Sequence, residues 1–282
     1  MSRPSLPFEQ LVFSGGGLRC FWHGGFLEAV CETHRLTPSR VTGSSGGALS
    51  AATFIAGIER RVFEGMTQAM AREDGNLTVE DLANDNDGRI AHQRIYDEVL
   101  EEVFDAPAIA RIVAGPAFQI SVSTPGDSSV PTLKALVGGA IYQLEQLASP
   151  TPRPRLASLS GMEQRLIDAR AAAREGLLPK LIRMAATVPP AFRPDTWEGE
   201  WIYDGGMVDK APLPDPDRGR TLVLLTKRFH ALPDDAGGRI TYVEPSEDIL
   251  PGAKLDFTDP RHVTEAWNQG LEDGRRWRNK IT

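Results

Sequence analysis

Short apolar runs alternate with longer amphipathic stretches along this chain. Gln10 to Ser14 holds the run Leu11-Val12-Phe13, the signature of a strand buried on both faces. It feeds Gly15-Gly16-Gly17-Leu18-Arg19, and Phe21 to Cys31 then reads as a helix. Arg40-Val41-Thr42 leads into a second glycine turn at Gly43. From Ala48 to Met70, the residues Ala51, Ala52, Phe54, Ile55, Ile58, Val62 and Met66 recur at helical spacing, which predicts one long helix. Its first two turns are almost all small residues, suited to close packing on a sheet.

Residues 72 to 87 are polar and read as an exposed loop, and Ile90 to Phe104 returns to helical character. Phe118 to Ser123 alternates like a strand. Thr132 to Leu147 predicts an apolar helix, read as core, with a lid or acyl-contact surface as the sharper alternative. Ser149 to Arg155 is a proline-rich basic connector. Helices are expected over Leu156 to Ala173 and Leu177 to Ala186, and the prolines of Thr187 to Pro194 end the second. Strands are expected at Trp201 to Tyr203, Thr221 to Thr226 and Arg239 to Val243, and a closing helix at Val263 to Asn279. Strands alternating with helices predict an α/β fold, with a mainly parallel central sheet and helices on both faces. No internal repeat and no break clear enough for a second domain is visible.

Composition narrows the partners. The chain has 282 residues, 41% hydrophobic and 24% charged, as in globular proteins. A net charge of −7 gives no general attraction to nucleic acid or to anionic membranes. No apolar run is long enough to span a bilayer, and the N-terminal residues carry no secretory signal. Cys20 and Cys31, on one helix, are separated by roughly 16 Å of rise, too far for a disulfide with each other. These features together predict a cytoplasmic protein, with signal-less export left open.

Two glycine turns carry the candidate chemistry. Gly43-Ser44-Ser45-Gly46-Gly47 reads G-x-S-x-G, the pattern of a serine on a sharp strand-to-helix turn. A helix starting there aims its amides at the serine. Gly15-Gly16-Gly17 follows a strand and precedes a helix, so its amides can approach an anion closely. It is not a dinucleotide loop, because Cys20 stands where the third glycine of G-x-G-x-x-G belongs. No G-x-x-x-x-G-K-[ST] string occurs either. An oxyanion hole fits better.

A base is then needed for Ser45. Of His23, His34, His92, His230 and His262, only His230 and His262 follow Asp204 in the order serine, acid, histidine. Both read as surface residues. Asp204 follows an apolar strand and precedes Gly205-Gly206, so a partly buried carboxylate could take the serine proton directly.

These stretches resemble the patatin-like phospholipase family, lipid acyl hydrolases that use a Ser-Asp dyad. Gly15 to Arg19 resembles its oxyanion loop, and Gly43 to Gly47 its nucleophile elbow. Met184 to Phe192 resembles the helix-then-proline segment, and Tyr203 to Gly206 the aspartate turn. His23 to Leu27 resembles the helix after the oxyanion loop of many bacterial members. Residues 9–214 form the matching core, with 215–282 as C-terminal strands and closing helix of the same domain. The resemblance implies a three-layer sandwich and a lipid or fatty acyl ester substrate, with transient membrane-surface contact and no cofactor or metal. It implies an acyl-Ser45 intermediate, Asp204 as base, Gly16 and Gly17 amides as oxyanion donors within the Gly15 to Gly17 loop, and Arg19 as its support. Two residues depart from the pattern: Cys20 replaces a glycine, and Lys210 stands where asparagine is common. The alternatives are a Ser-His-Asp esterase and a non-catalytic protein that binds an anionic ligand in the glycine loop.

Overall fold

The computed structural model describes residues 3–72, 91–126, 151–152, 161–189 and 192–281. Its centre is β1 (Gln10–Phe13), in which all four residues are buried. β2 (Arg40–Ser44) and β7 (Thr221–Leu224) flank it, both parallel to it. β3 (Ala117–Thr124) extends the sheet beyond β2, and β8 (Ile240–Val243) beyond β7. The parallel order is therefore β8-β7-β1-β2-β3. The chain leaves β1 in one direction and later returns to its other side. That makes the carboxyl end of β1 a topological switch point, where α/β sheets bind ligands.

Three antiparallel strands complete the sheet. β4 (Glu163–Asp168) pairs with β3. β5 (Asp195–Trp197) and β6 (Glu200–Asp204) form a hairpin, and β6 also pairs with β3. The registers decide where β6 lies. β2 and β4 both oppose Gln119 to Ser121, so they occupy opposite edges of β3. β4 also opposes Val122 and Ser123, so β6, paired to those same two residues, must take the edge of β2. β2 ends at Ser44 opposite Ser121, and β6 ends at Asp204 opposite Val122. The two strands thus meet end to end along β3.

The helices are α1 (Phe21–Cys31), α2 (Gly46–Ala56), α3 (Glu59–Arg72), α4 (Ala91–Val103), α5 (Ala106–Ala114), α6 (Ala169–Arg174), α7 (Leu178–Ala185) and α8 (Arg261–Ile281). Leu11 and Phe13 of β1 join the main core with these helices, including Trp22, Phe26 and Leu49. Val12, on the other face, packs with Val223, Leu225 and Ala211.

The architecture is the expected α/β fold with a mostly parallel sheet, but several elements differ in detail. The single helix expected from Ala48 to Met70 is two, because Gly57 caps α2 in the left-handed region at φ 64°. Ile58 keeps the apolar spacing across the break. The helix expected from Leu156 to Ala173 is corrected over its described part: Glu163–Asp168 is strand β4, and Ala169–Arg174 is helical. Glu163, Gln164 and Arg165 are polar because this is an edge strand, so the buried-run signature is missing. α5 and β5 went unpredicted; nine and three residues are too short to show a period. The expected helix at Thr132 to Leu147 and nearly all of the two loops, at 72–87 and 149–155, lie outside the described residues.

Candidate active site

Ser45 stands where β2 gives way to α2, with φ 55° and ψ −136°. A non-glycine residue held there stores about 1–3 kcal/mol of strain. Its neighbours explain how the turn is built. A Cβ on Gly43 would lie 2.5 Å from the Gly47 carbonyl oxygen, and one on Gly47 2.4 Å from that of Phe13. Both glycines let α2 begin directly beside the ends of β1 and β2. Ser45 is 6% exposed and sits at the N-terminus of α2.

The meeting of β2 and β6 brings Asp204 to this serine. Ser45 Oγ donates to Asp204 Oδ2 at 2.5 Å, and Gly206 N donates to Oδ1 at 2.7 Å. Asp204 N in turn donates to the Thr187 carbonyl at 2.9 Å, which ties the aspartate to the end of the α7 segment. Gly205 is required by contact: a Cβ there would lie 2.2 Å from the Ser121 carbonyl oxygen. Burial pushes the Asp204 carboxyl up to about 6, against the opposing pull of the Ser45 and Gly206 hydrogen bonds and of Lys254 and Lys210. Such a group is ionised at neutral pH yet basic enough to accept a proton.

The glycine loop after β1 divides into different tasks. Gly15 N donates to the Lys210 carbonyl at 2.8 Å, and Thr226 Oγ1 donates to the Gly15 carbonyl at 2.7 Å. The Gly15 amide is therefore already engaged. A Cβ on Gly15 would lie 2.9 Å from Ser45 Cβ, so this glycine sets the spacing between loop and serine. Among the described residues, no protein acceptor takes the amides of Gly16 or Gly17. Arg19 Nε donates to the Gly16 carbonyl at 3.2 Å and so braces the loop.

The two unusual residues both touch this machinery. Cys20 is buried, its thiol pushed up to about 12 by desolvation, and it has no nucleophilic character at neutral pH. Its sulfur lies 3.0 Å from where a Cβ on Gly46 would stand. Lys210 holds Gly15 through its backbone, while its buried ammonium lies 6.0 Å from the ring centroid of Phe229.

Among the described side chains, no histidine completes a triad here. His23 is buried, held neutral by desolvation with its pKa pushed down to about 3, and Nε2 contacts the Leu224 carbonyl at 3.2 Å. His262 Nδ1 contacts the Asp256 carbonyl at 3.2 Å, and His230 is exposed. Neither His230 nor His262 lines the cavity that holds Ser45 and Asp204.

That cavity spans about 980 Å³ when the open solvent at its mouth is included. Its walls are mainly apolar, with Phe13, Leu49, Val62, Met66, Phe192 and Trp267 among them. Sequence reasoning missed the contribution of residues 254–267. Lys254 and Leu255 lie against the glycine loop, where the Leu18 amide donates to the Lys254 carbonyl at 2.9 Å. Burial and the charge of Arg19 lower the Lys254 ammonium to about 8. Lys254 and Leu255 belong to no motif or periodic run; packing against Gly17, where a Cβ would lie 2.3 Å from the Lys254 oxygen, reveals them.

The model of the patatin-like phospholipase family matches residues 11–217. The chain belongs to that family, and is a lipid hydrolase of its type. No curated protein matches the sequence. Among solved structures, VipD from Legionella pneumophila is similar at 12% identity and a TM-score of 0.47, over 98% of this chain and 67% of that one. Among the described residues, no helix is long and apolar enough to cross a membrane.

Proposed function

We propose that this protein hydrolyses fatty acyl esters through an acyl-enzyme on Ser45, with Asp204 as the only general base. The observation that carries the reading is the 2.5 Å hydrogen bond from Ser45 Oγ to Asp204 Oδ2. Asp204 takes the hydroxyl proton as Oγ attacks the acyl carbon, and passes it to the leaving alcohol. In the second half, Asp204 takes a proton from water, which attacks the acyl-Ser45 ester. The fatty acid leaves and the proton returns to Ser45 Oγ. The amides of Gly16 and Gly17, with the N-terminus of α2, hold the oxyanion in both steps. One such donor is worth about 10²–10³ in rate. Arg19 supports the loop, and the apolar cavity receives the acyl chain. The lipid is drawn from a membrane surface by transient contact.

The test is hydrolysis of a nitrophenyl butyrate and of phospholipid vesicles by Ser45→Ala, Asp204→Asn, His230→Ala and His262→Ala. The first two are expected to lose at least about 10³-fold in kcat/KM. The histidine variants are expected to stay within about twofold, since neither touches the dyad. Wild-type rates in Ser45→Ala, or loss of activity in either histidine variant, would overturn the assignment.

A further inference from the structure

The cavity that holds Ser45 adjoins a second cleft. That cleft spans about 630 Å³ with the open solvent at its mouth included, and the two share Gly24, Leu27, Glu59 and Trp267. The second cleft opens to solvent, for the Arg60 and Arg61 side chains that line it are 53% and 41% exposed. Of these four shared residues, Trp267 brings the largest group, its indole, and Glu59 the charged one, its carboxyl.

The position of that indole is fixed by contact. Trp267 lies on α8, and a Cβ on Gly24 of α1 would come within 2.3 Å of its ring. Phe63 packs against it with ring centroids 4.8 Å apart, and the Arg60 guanidinium carbon lies 5.4 Å from the ring centroid. Trp267 Nε1 is buried, and among the described residues no acceptor meets it. No hydrogen bond anchors the indole in place of these contacts. Glu59, at the start of α3, lines both spaces beside it. Trp267 lies outside the residues matched by the family.

We propose that Trp267, backed by Glu59, is the partition that sets how long an acyl chain this enzyme accepts. The proposal rests on the reading of Ser45 as the acylated residue. An acyl chain attached there runs along Leu49, Val62 and Met66 toward the wall at Gly24 and Trp267. A chain that reaches the indole can go no further unless the ring gives way to the second cleft. Each methylene kept out of the cavity forfeits about fourfold in kcat/KM, the equivalent of about 0.8 kcal/mol. Removing the indole joins the two spaces and gives a longer chain apolar wall to follow.

The experiment compares wild type with Trp267→Ala and Trp267→Phe on nitrophenyl esters from butyrate to palmitate. The palmitate-to-octanoate ratio of kcat/KM is read within each variant, so the folded fraction cancels. It is expected to rise about tenfold or more in Trp267→Ala and less in Trp267→Phe. Val62→Phe, which narrows the cavity before the wall, is expected to lower it. A parallel titration of the Ser45→Ala protein, with and without Trp267→Ala, by octanoate and palmitate reads the same preference from binding. A binding shift without Ser45-dependent hydrolysis would keep the partition and remove the catalytic reading. Unchanged preference in both rates and binding would overturn the partition while leaving Ser45 untouched.

Discussion

Asp204 is 2% exposed, and its carboxyl group is pushed up to about 6 by burial. Two consequences of opposite value follow. As the proposed base it must be ionised, so kcat/KM is expected to rise with pH, pass half-maximum near pH 6 and then level off. A pH–rate profile without that step would exclude Asp204 as the titrating base. The same shift costs stability. The folded pKa lies above that of the unfolded chain, so the native state binds the proton more tightly. That stabilisation is fully present below about pH 4 and is lost as pH rises through about 6. At neutral pH the buried charge costs on the order of 3 kcal/mol. Asp204→Asn is therefore expected to melt higher than wild type at pH 7–8, while the gap closes near pH 4. Melting curves across that range check it.

At the scale of elements, the contact between α1 and α8 is the sharpest case. Gly24 and Gly25 of α1 lie against Trp267 of α8, while Gly270 and Gly274 of α8 lie against Trp22 and Phe26 of α1. A Cβ on Gly270 would lie 2.2 Å from the Trp22 carbonyl oxygen, and one on Gly274 2.4 Å from that of Phe26. Alanine in place of a helix-interior glycine ordinarily gains about 1 kcal/mol. Here the obstacle is backbone, which cannot rotate aside, so overpacking decides the sign. Gly270→Ala is expected to lose about 1–3 kcal/mol and to lower Tm by several degrees. A raised Tm would show that the helices part cheaply. Elements also differed in how legible they were. β1 and β7 could be read because burial on both faces leaves an unbroken apolar run. β4 could not, since an edge strand is free to be polar. The turns at Ser45 and Asp204 stood out because close backbone approach demands Gly43, Gly47 and Gly205. Lys254 and Trp267 had no such local signature; their place in the cavity comes from packing between distant segments.

Across the whole molecule, the residues after 217 complete the sheet and the cavity rather than append to them. β7 pairs with β1 in parallel, residue for residue from Thr221 to Leu224. Without it, the central strand becomes an edge with an unpaired row of backbone groups. Leu222, Val223 and Leu224 are fully buried, and three such side chains are worth about 5–9 kcal/mol. That alone is comparable to the net stability of about 5–15 kcal/mol of an entire domain. Loss of α8 would also bare Trp22 and Phe26 of α1, and would remove Asp273, whose carboxylate accepts from Trp22 Nε1 at 2.8 Å. Thr226, just beyond β7, holds the Gly15 carbonyl, so the glycine loop would lose a brace as well. A chain ending at residue 217 is therefore expected to show no cooperative thermal transition and no near-ultraviolet circular dichroism, although it retains Ser45 and Asp204. A cooperative melt of that fragment would mean that β1 tolerates a bare edge and that residues 9–214 fold unaided. The parallel register between β1 and β7, set against the buried area at stake, argues for the first outcome.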